Sequence, residues 1–337
     1  MFRWKVAGVL LCVLLFWELI TRLFVLSPAQ EVLDSHLGYL HAPHASILRT
    51  YEGYARLTLD QFGLNNEPLP EVLPAKRVFV VGDSLVEAYQ VMRDENFVSR
   101  LRNKWKDSLW FNVGIAGTAP DQWWTAYDKF KSQIKPTHVL LCVTSSDLYE
   151  LLLAKEHRDA KGALTVLFQP VDKPSRFVDV KLWLYEHSAL VTHLTWKYKN
   201  DIRAWLAGDD NKQPIQESYV FVGGELQRAV EYWRFVLKKF QASGVTLTVL
   251  IMPELDYFPN KKVQLQVRQG YAALVNEATK LGIPILDSNA AFIQDFEKSG
   301  QPANGFSNTH YGKGHLNAHG HQVLADWLDE QRDVILR

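Results

Sequence analysis

Five short apolar runs, each closed by strand-ending residues and separated by enough chain for helices, limit what this sequence can fold into. They are Arg77–Val81 (RVFVV), Leu109–Val113, His138–Val143 (HVLLCV), Leu247–Met252 and Pro284–Leu286. Strands that are apolar at nearly every position are buried on both faces, and helical crossovers between them make neighbours run parallel. The expected fold class is therefore α/β, a three-layer α/β/α arrangement around a mostly parallel central sheet. The segment after Gly82-Asp83-Ser84 reads as a helix continuing through Arg102. Another helix opens at Pro120-Asp121, where proline suits the first turn.

Around this pattern the chain divides into residues 1–29, an N-terminal membrane anchor or signal segment; residues 30–74, a lead-in; and residues 75–337, the main domain, with a helical insertion at about 148–224. The N-terminal segment carries Arg3 and Lys5 before an apolar run from Val6 to Leu26 that is interrupted only by Glu18, Thr21 and Arg22. As a helix this run reaches about 30 Å, enough for a bilayer core, with Glu18 and Arg22 one turn apart near its far end. It reads as an uncleaved anchor, and cleavage after Ser27-Pro28-Ala29 is the competing expectation. The positive flank places the N-terminus in the cytoplasm and the main domain on the extracytoplasmic side, periplasmic or extracellular. In the lead-in, Leu57, Leu59 and a turn at Gly63 to Asn66 suggest a hairpin. The insertion holds Trp183, Trp196 and Trp205 and a polar linker from Gly208 to Gln216.

Composition narrows the partners. The 37 Lys and Arg balance 37 Asp and Glu, and no long basic run occurs, so nucleic acid is not expected as a partner. Only Cys12 and Cys142 are present, and Cys12 lies in the apolar leader, which rules out an intramolecular disulfide framework or a cysteine zinc site in the main domain.

In such a sheet, ligands bind beyond the carboxyl ends of the strands. Ser84 follows the first strand, and a serine between strand and helix exposes its hydroxyl beside amides that favour negative charge. By itself it reads equally as an N-cap. The second strand leads to Asn112-Val113-Gly114-Ile115-Ala116-Gly117, the third to Thr144-Ser145-Ser146-Asp147. Near the C-terminus stands His315-Leu316-Asn317-Ala318-His319-Gly320-His321. An early serine and a late histidine brought together by the fold are the minimum for nucleophilic acyl transfer. His310, His315, His319 and His321 lack an adjoining carboxylate cluster, so no metal or other cofactor is expected, and His319 and His321 read as a solvated or capping pair. Glu87 and Tyr89 read as surface and packing residues. Trp123 and Trp124 suit either a sugar platform or, at helical spacing with Tyr127 and Phe130, the core.

From about Lys76 to Leu328 the sequence resembles the SGNH hydrolase superfamily, the GDSL esterases and lipases. Gly82-Asp83-Ser84-Leu85 matches its first block and implies that Ser84 is the nucleophile. Asn112, Gly114 and Gly117 match its second, which places the oxyanion-hole glycine at Gly117, and His315 with Asn317 and Gly320 matches its last, which makes His315 the general base. The oxyanion hole implied is Ser84, Gly117 and Ser146, with Asp83, Asn112, Asp147 and Asn317 in support. Two positions depart from the pattern. Ser146 stands where the third block has asparagine, and Gly312 stands where the acid before the histidine belongs. His315 must then be oriented by another group, such as a backbone carbonyl, Asn308 or Asp287.

The resulting expectation is a serine esterase that removes an O-acyl group, acetyl in the first instance, from an acylated extracytoplasmic glycan or lipid. An exopolysaccharide O-acetyltransferase using the same serine, or a non-catalytic glycan-binding or scaffold member, is the alternative. Oligomeric state is open.

Overall fold

Strand formation follows the apolar runs. The computed structural model describes residues 2–28, 30–169, 176–195, 197–198, 220–257, 262–265 and 269–337. The sheet strands are β1 (Lys76–Gly82), β2 (Ser108–Gly114), β3 (His138–Val143), β4 (Thr246–Ile251) and β5 (Ile285–Asp287), in spatial order β5-β4-β3-β1-β2. Every pairing is parallel. Alternate side chains leave opposite faces, as the strand period of two requires. Phe79, Val81, Phe111, Val113, Val139 and Leu141 enter one buried cluster. Val78, Val80, Trp110, Leu140 and Cys142 enter the other.

Helices cover both faces. On the first lie α2 (Pro120–Ile134), α3 (Glu225–Ala242) and α4 (Gln269–Lys280), with Trp123, Tyr127, Tyr232, Trp233 and Leu274 turned inward. On the second lie α1 (Phe97–Lys104), α5 (Asn289–Ser299) and α6 (Ala318–Glu330), which contribute Phe97, Leu101, Phe292, Leu324 and Leu328. The fold is thus a three-layer α/β/α sandwich on a parallel sheet. Because β1 is flanked by β2 on one side and β3 on the other, the order in which strands join the sheet reverses around it, and a crevice opens at its carboxyl end.

The expected helix from Ser84 through Arg102 is broken. It is one turn, Ser84–Glu87, then Ala88 at φ 55°, a short 3-10 turn at Arg93–Glu95, and only then α1. Asn65 Nδ2 donates to the Glu87 carbonyl at 2.9 Å, occupying an acceptor that a longer helix would use. The lead-in also differs. It contains two hairpins, Glu31–Asp34 with Gly38–His41 and Ser46–Arg49 with Ala55–Thr58. The Gly63–Asn66 stretch is a loop organised by Asp60, which accepts from the amides of Phe62 and Leu64.

Trp123 is buried, and Trp124 packs on Tyr127 and Phe240, so both belong to the core. In the insertion, Lys155–Arg158 pairs with Leu164–Phe168, and a helix spans Arg176–His187. Trp196, Trp205 and the linker at 208–216 lie outside the described residues. Among the described residues one helix, Trp4–Phe24, is long and apolar enough to cross a membrane.

Candidate active site

Ser84 stands at the end of β1, where the chain turns into its single helical turn. Asp83 caps that turn, its carboxylate accepting from the Leu85 amide at 2.9 Å. Burial pushes the Asp83 carboxyl up, against the Leu85 hydrogen bond and the charge of His315. Asn112, fully buried in β2, fixes the same turn from the side: Nδ2 donates to the Val86 carbonyl at 2.6 Å, and Oδ1 accepts from the Gly114 amide at 2.8 Å.

His315 arrives on the loop before α6, with Nε2 2.9 Å from Ser84 Oγ. Asn317 caps α6 by accepting from the Gly320 amide at 3.0 Å, and its Nδ2 donates to the carbonyls of Pro302 and Gly305 at 2.9 and 3.0 Å. It shapes the loop that carries His315.

The group that orients His315 is Glu52, from the turn of the second lead-in hairpin. Its Oε2 lies 2.7 Å from His315 Nδ1, and its Oε1 accepts from the His315 amide at 2.9 Å. Burial by itself would raise the Glu52 carboxyl, but the hydrogen bonds and charge of His315 outweigh it and hold it below its ordinary value. Among described residues a continuous hydrogen-bonded chain therefore runs Ser84–His315–Glu52.

The glycines before His315 explain how a distant carboxylate enters. A Cβ on Gly314 would sit 2.3 Å from Glu52 Oε1, so only glycine leaves that oxygen its place. Gly312 adopts φ +83°, a left-handed conformation that favours glycine, and a Cβ there would stand 3.1 Å from Tyr257 Cβ. The other candidate orienters serve elsewhere. Asn308 clips the Glu52 turn, accepting from the Gly53 amide at 3.0 Å and donating to the carbonyls of Thr50 and Gly53 at 2.8 and 2.9 Å. Asp287 accepts from the amide and side chain of Asn289 at 3.0 and 2.8 Å.

Ser84 and His315 open on a cleft of about 340 Å³, whose lining includes Asp83, Thr144, Ser146, Glu254, Asp256 and Lys313. Ser146 Oγ is 2.7 Å from Thr144 Oγ1. Asp147 lies buried beneath, accepting from the Thr144 amide at 2.6 Å, and burial drives its carboxyl well above the ordinary range. Glu254 accepts from the amide and hydroxyl of the neighbouring Ser145 at 3.0 and 2.6 Å. Gly117 is exposed in the loop after β2, at φ +70°, outside the lining of this cleft.

Two expectations about side chains are corrected. His321 is not solvated but buried against Phe97, and burial pushes it down to about 3, while His319 pairs with Asp295 at 2.6 Å. Glu87 is buried rather than on the surface. Its Oε1 accepts from the Ala116 amide at 3.1 Å, and burial raises it to about 7. Nothing in the sequence around Glu52 sets it apart from an ordinary turn glutamate. The usable signal was Gly312 and Gly314, two missing side chains beside the histidine.

No protein-family model matches the sequence, and no curated protein matches it. Solved structures with a similar chain trace include the psychrotrophic esterase EstA from a Pseudoalteromonas species, at 14% identity and TM-score 0.39 over 77% of this chain and 97% of that one. An acetyl xylan esterase, AlAXEase, is 12% identical with TM-score 0.42, over 76% and 98%. A member of the lipolytic G-D-S-L family from Veillonella parvula is 12% identical with TM-score 0.40, over 76% and 97%. Similarity this distant carries nothing about chemistry.

Proposed function

We propose that the protein is a serine ester hydrolase of the SGNH type that removes a short O-acyl group, acetyl in the first instance, from a polar extracytoplasmic carrier, a glycan or lipid headgroup. The observation that carries this reading is the hydrogen-bonded chain from Ser84 through His315 to Glu52, opening on a polar cleft.

In this mechanism His315 Nε2 takes the Ser84 proton as Oγ attacks the ester carbonyl. Glu52 accepts from Nδ1–H, which fixes the tautomer that leaves Nε2 free to act as base, and stabilises the imidazolium that forms. The alkoxide leaves with the proton returned by His315, and water then attacks the acyl-Ser84 ester through the same histidine. The Ser84 amide and the Ser146 hydroxyl stabilise the oxyanion, with serine in the place of the family's asparagine, while Gly117 lies outside the lining of the cleft. Asp83, Asn112, Asp147 and Asn317 act as supports for these groups. The lining favours a small acyl group on a hydroxyl-rich carrier over a long chain, which needs a continuous apolar channel.

A fluorophosphonate probe on the full-length protein tests the reading. Labelling of the wild type and none of Ser84→Ala is expected, and equal labelling of the two would refute an activated Ser84. Acetate released from an acetylated glycan, with and without added sugar acceptor, separates hydrolysis from transfer.

A further inference from the structure

Glu52 reaches His315 from outside the sheet, on the turn of a two-stranded hairpin, an element only marginally stable by itself. Its position is set by what holds that turn. Asn308 clips it from one side, and the N-terminal helix, Phe2–Phe24, holds the other.

The contacts to the end of this helix and to Val25 and Ser27 just after it are specific. The Leu48 amide donates to Ser27 Oγ at 3.0 Å, the Ser27 amide to the Leu48 carbonyl at 3.3 Å, and Thr50 Oγ1 to the Val25 carbonyl at 2.7 Å. On the far strand of the hairpin, Arg56 donates to the Leu23 carbonyl at 3.3 Å. Next to Glu52, Tyr51 stacks on His193 with centroids 5.5 Å apart, and its hydroxyl meets His193 Nδ1.

His193 lies in the helical segment at 189–195, whose start is capped by the N-terminal helix. Glu18 accepts from Ser188 Oγ at 2.7 Å and from the amides of Ala189 and Leu190 at 2.9 and 3.0 Å. Arg22 pairs with Glu18 and donates to the His187 carbonyl at 2.5 Å. Thr21 and Leu26 are buried and Glu18, Ile20, Val25 and Ser27 half-buried, where the helix from Trp4 to Trp17 is exposed. Removal after Ala29 would strip partners from Leu48, Thr50, Arg56 and the cap at Ser188–Leu190 together.

We propose that residues Glu18 to Ser27 are a positioning element of the active site: the N-terminal helix stays in the mature protein, and its last turns with the residues to Ser27, directly and through His193, hold Glu52 against His315. This rests on the reading of Ser84, His315 and Glu52 as one working unit. An orienting group must be held to within about 0.5 Å, and a displacement of about 1 Å costs roughly 100-fold in rate, so a loosened turn shows in kcat.

The test uses full-length protein in detergent or nanodiscs, with intact mass reporting residues 1–29. Helix retention is expected. In Ser27→Ala/Thr50→Val/Tyr51→Phe, kcat for an acetyl ester should fall roughly 10- to 100-fold while KM changes little. The same substitutions should cost little more in a Glu52→Gln background, which a merely structural role would not produce. Glu18→Gln, which leaves the hairpin sequence intact, should give a smaller loss of the same kind and guards against a misfolded triple variant. A mature chain lacking residues 1–29, wild-type kcat in both variants, or full additivity with Glu52→Gln overturns the inference. If Ser84→Ala remains active, the underlying site reading fails instead.

Discussion

In the proposed mechanism Ser84, His315 and Glu52 act as one unit, because each hydrogen bond fixes the proton position of the next. Replacing Glu52 with glutamine keeps the shape but offers a neutral amide to Nδ1, which can select the wrong tautomer. Loss of the aspartate-type partner in such chains costs up to about 10⁴ in kcat, and Glu52→Gln is expected to lose roughly 10² to 10⁴, measured as acetate release. Gly314→Ala should approach that loss, since its Cβ would stand 2.3 Å from the Glu52 oxygen. Ser146→Ala tests the oxyanion donor: a drop of about 10²-fold in kcat with little change in KM is expected, and an unchanged kcat would remove Ser146 from the mechanism.

At the scale of elements, the turn after β1 is held by partners from other segments. Asn66 exchanges a pair of hydrogen bonds with the backbone of Asn112, at 2.7 and 2.9 Å, tying the lead-in to β2. Glu87, on the same turn, holds the Ala116 amide of the following loop from a buried position. In the unfolded chain Glu87 gives up its proton near 4.5, in the folded protein near 7. Between these values the folded state binds more protons, so this residue's contribution falls as pH rises through the window. Glu87→Gln should therefore flatten that decline and raise stability above pH 7, by at most on the order of 3 kcal/mol, read from denaturation at several pH values. A steeper decline in the variant would contradict this assignment. The strands β1 to β5 were legible because continuous apolar runs report burial directly, whereas the break after Glu87 depends on Asn65, a residue from another segment.

For the whole molecule, the C-terminus closes the sheet's lower edge. Lys76, which opens β1, donates to the Leu336 carbonyl at 3.0 Å, while Ile335 and Leu336 are buried in the second-face cluster. Deleting residues 335–337 should cost about 3 to 6 kcal/mol from those two side chains, visible as a lower denaturation midpoint. The sequence by itself determined the parallel sheet, the strand-end positions of Ser84 and Ser146, the place of Asn112 within β2, and the late histidine. Each of these follows from a local pattern of burial, turn chemistry or spacing. Only the tertiary structure decided what orients His315, since Glu52 lies 263 positions away. A contact at that separation is fixed by how the hairpin packs between the N-terminal helix, the Asn308 loop and the space left by Gly314, and no local pattern encodes it.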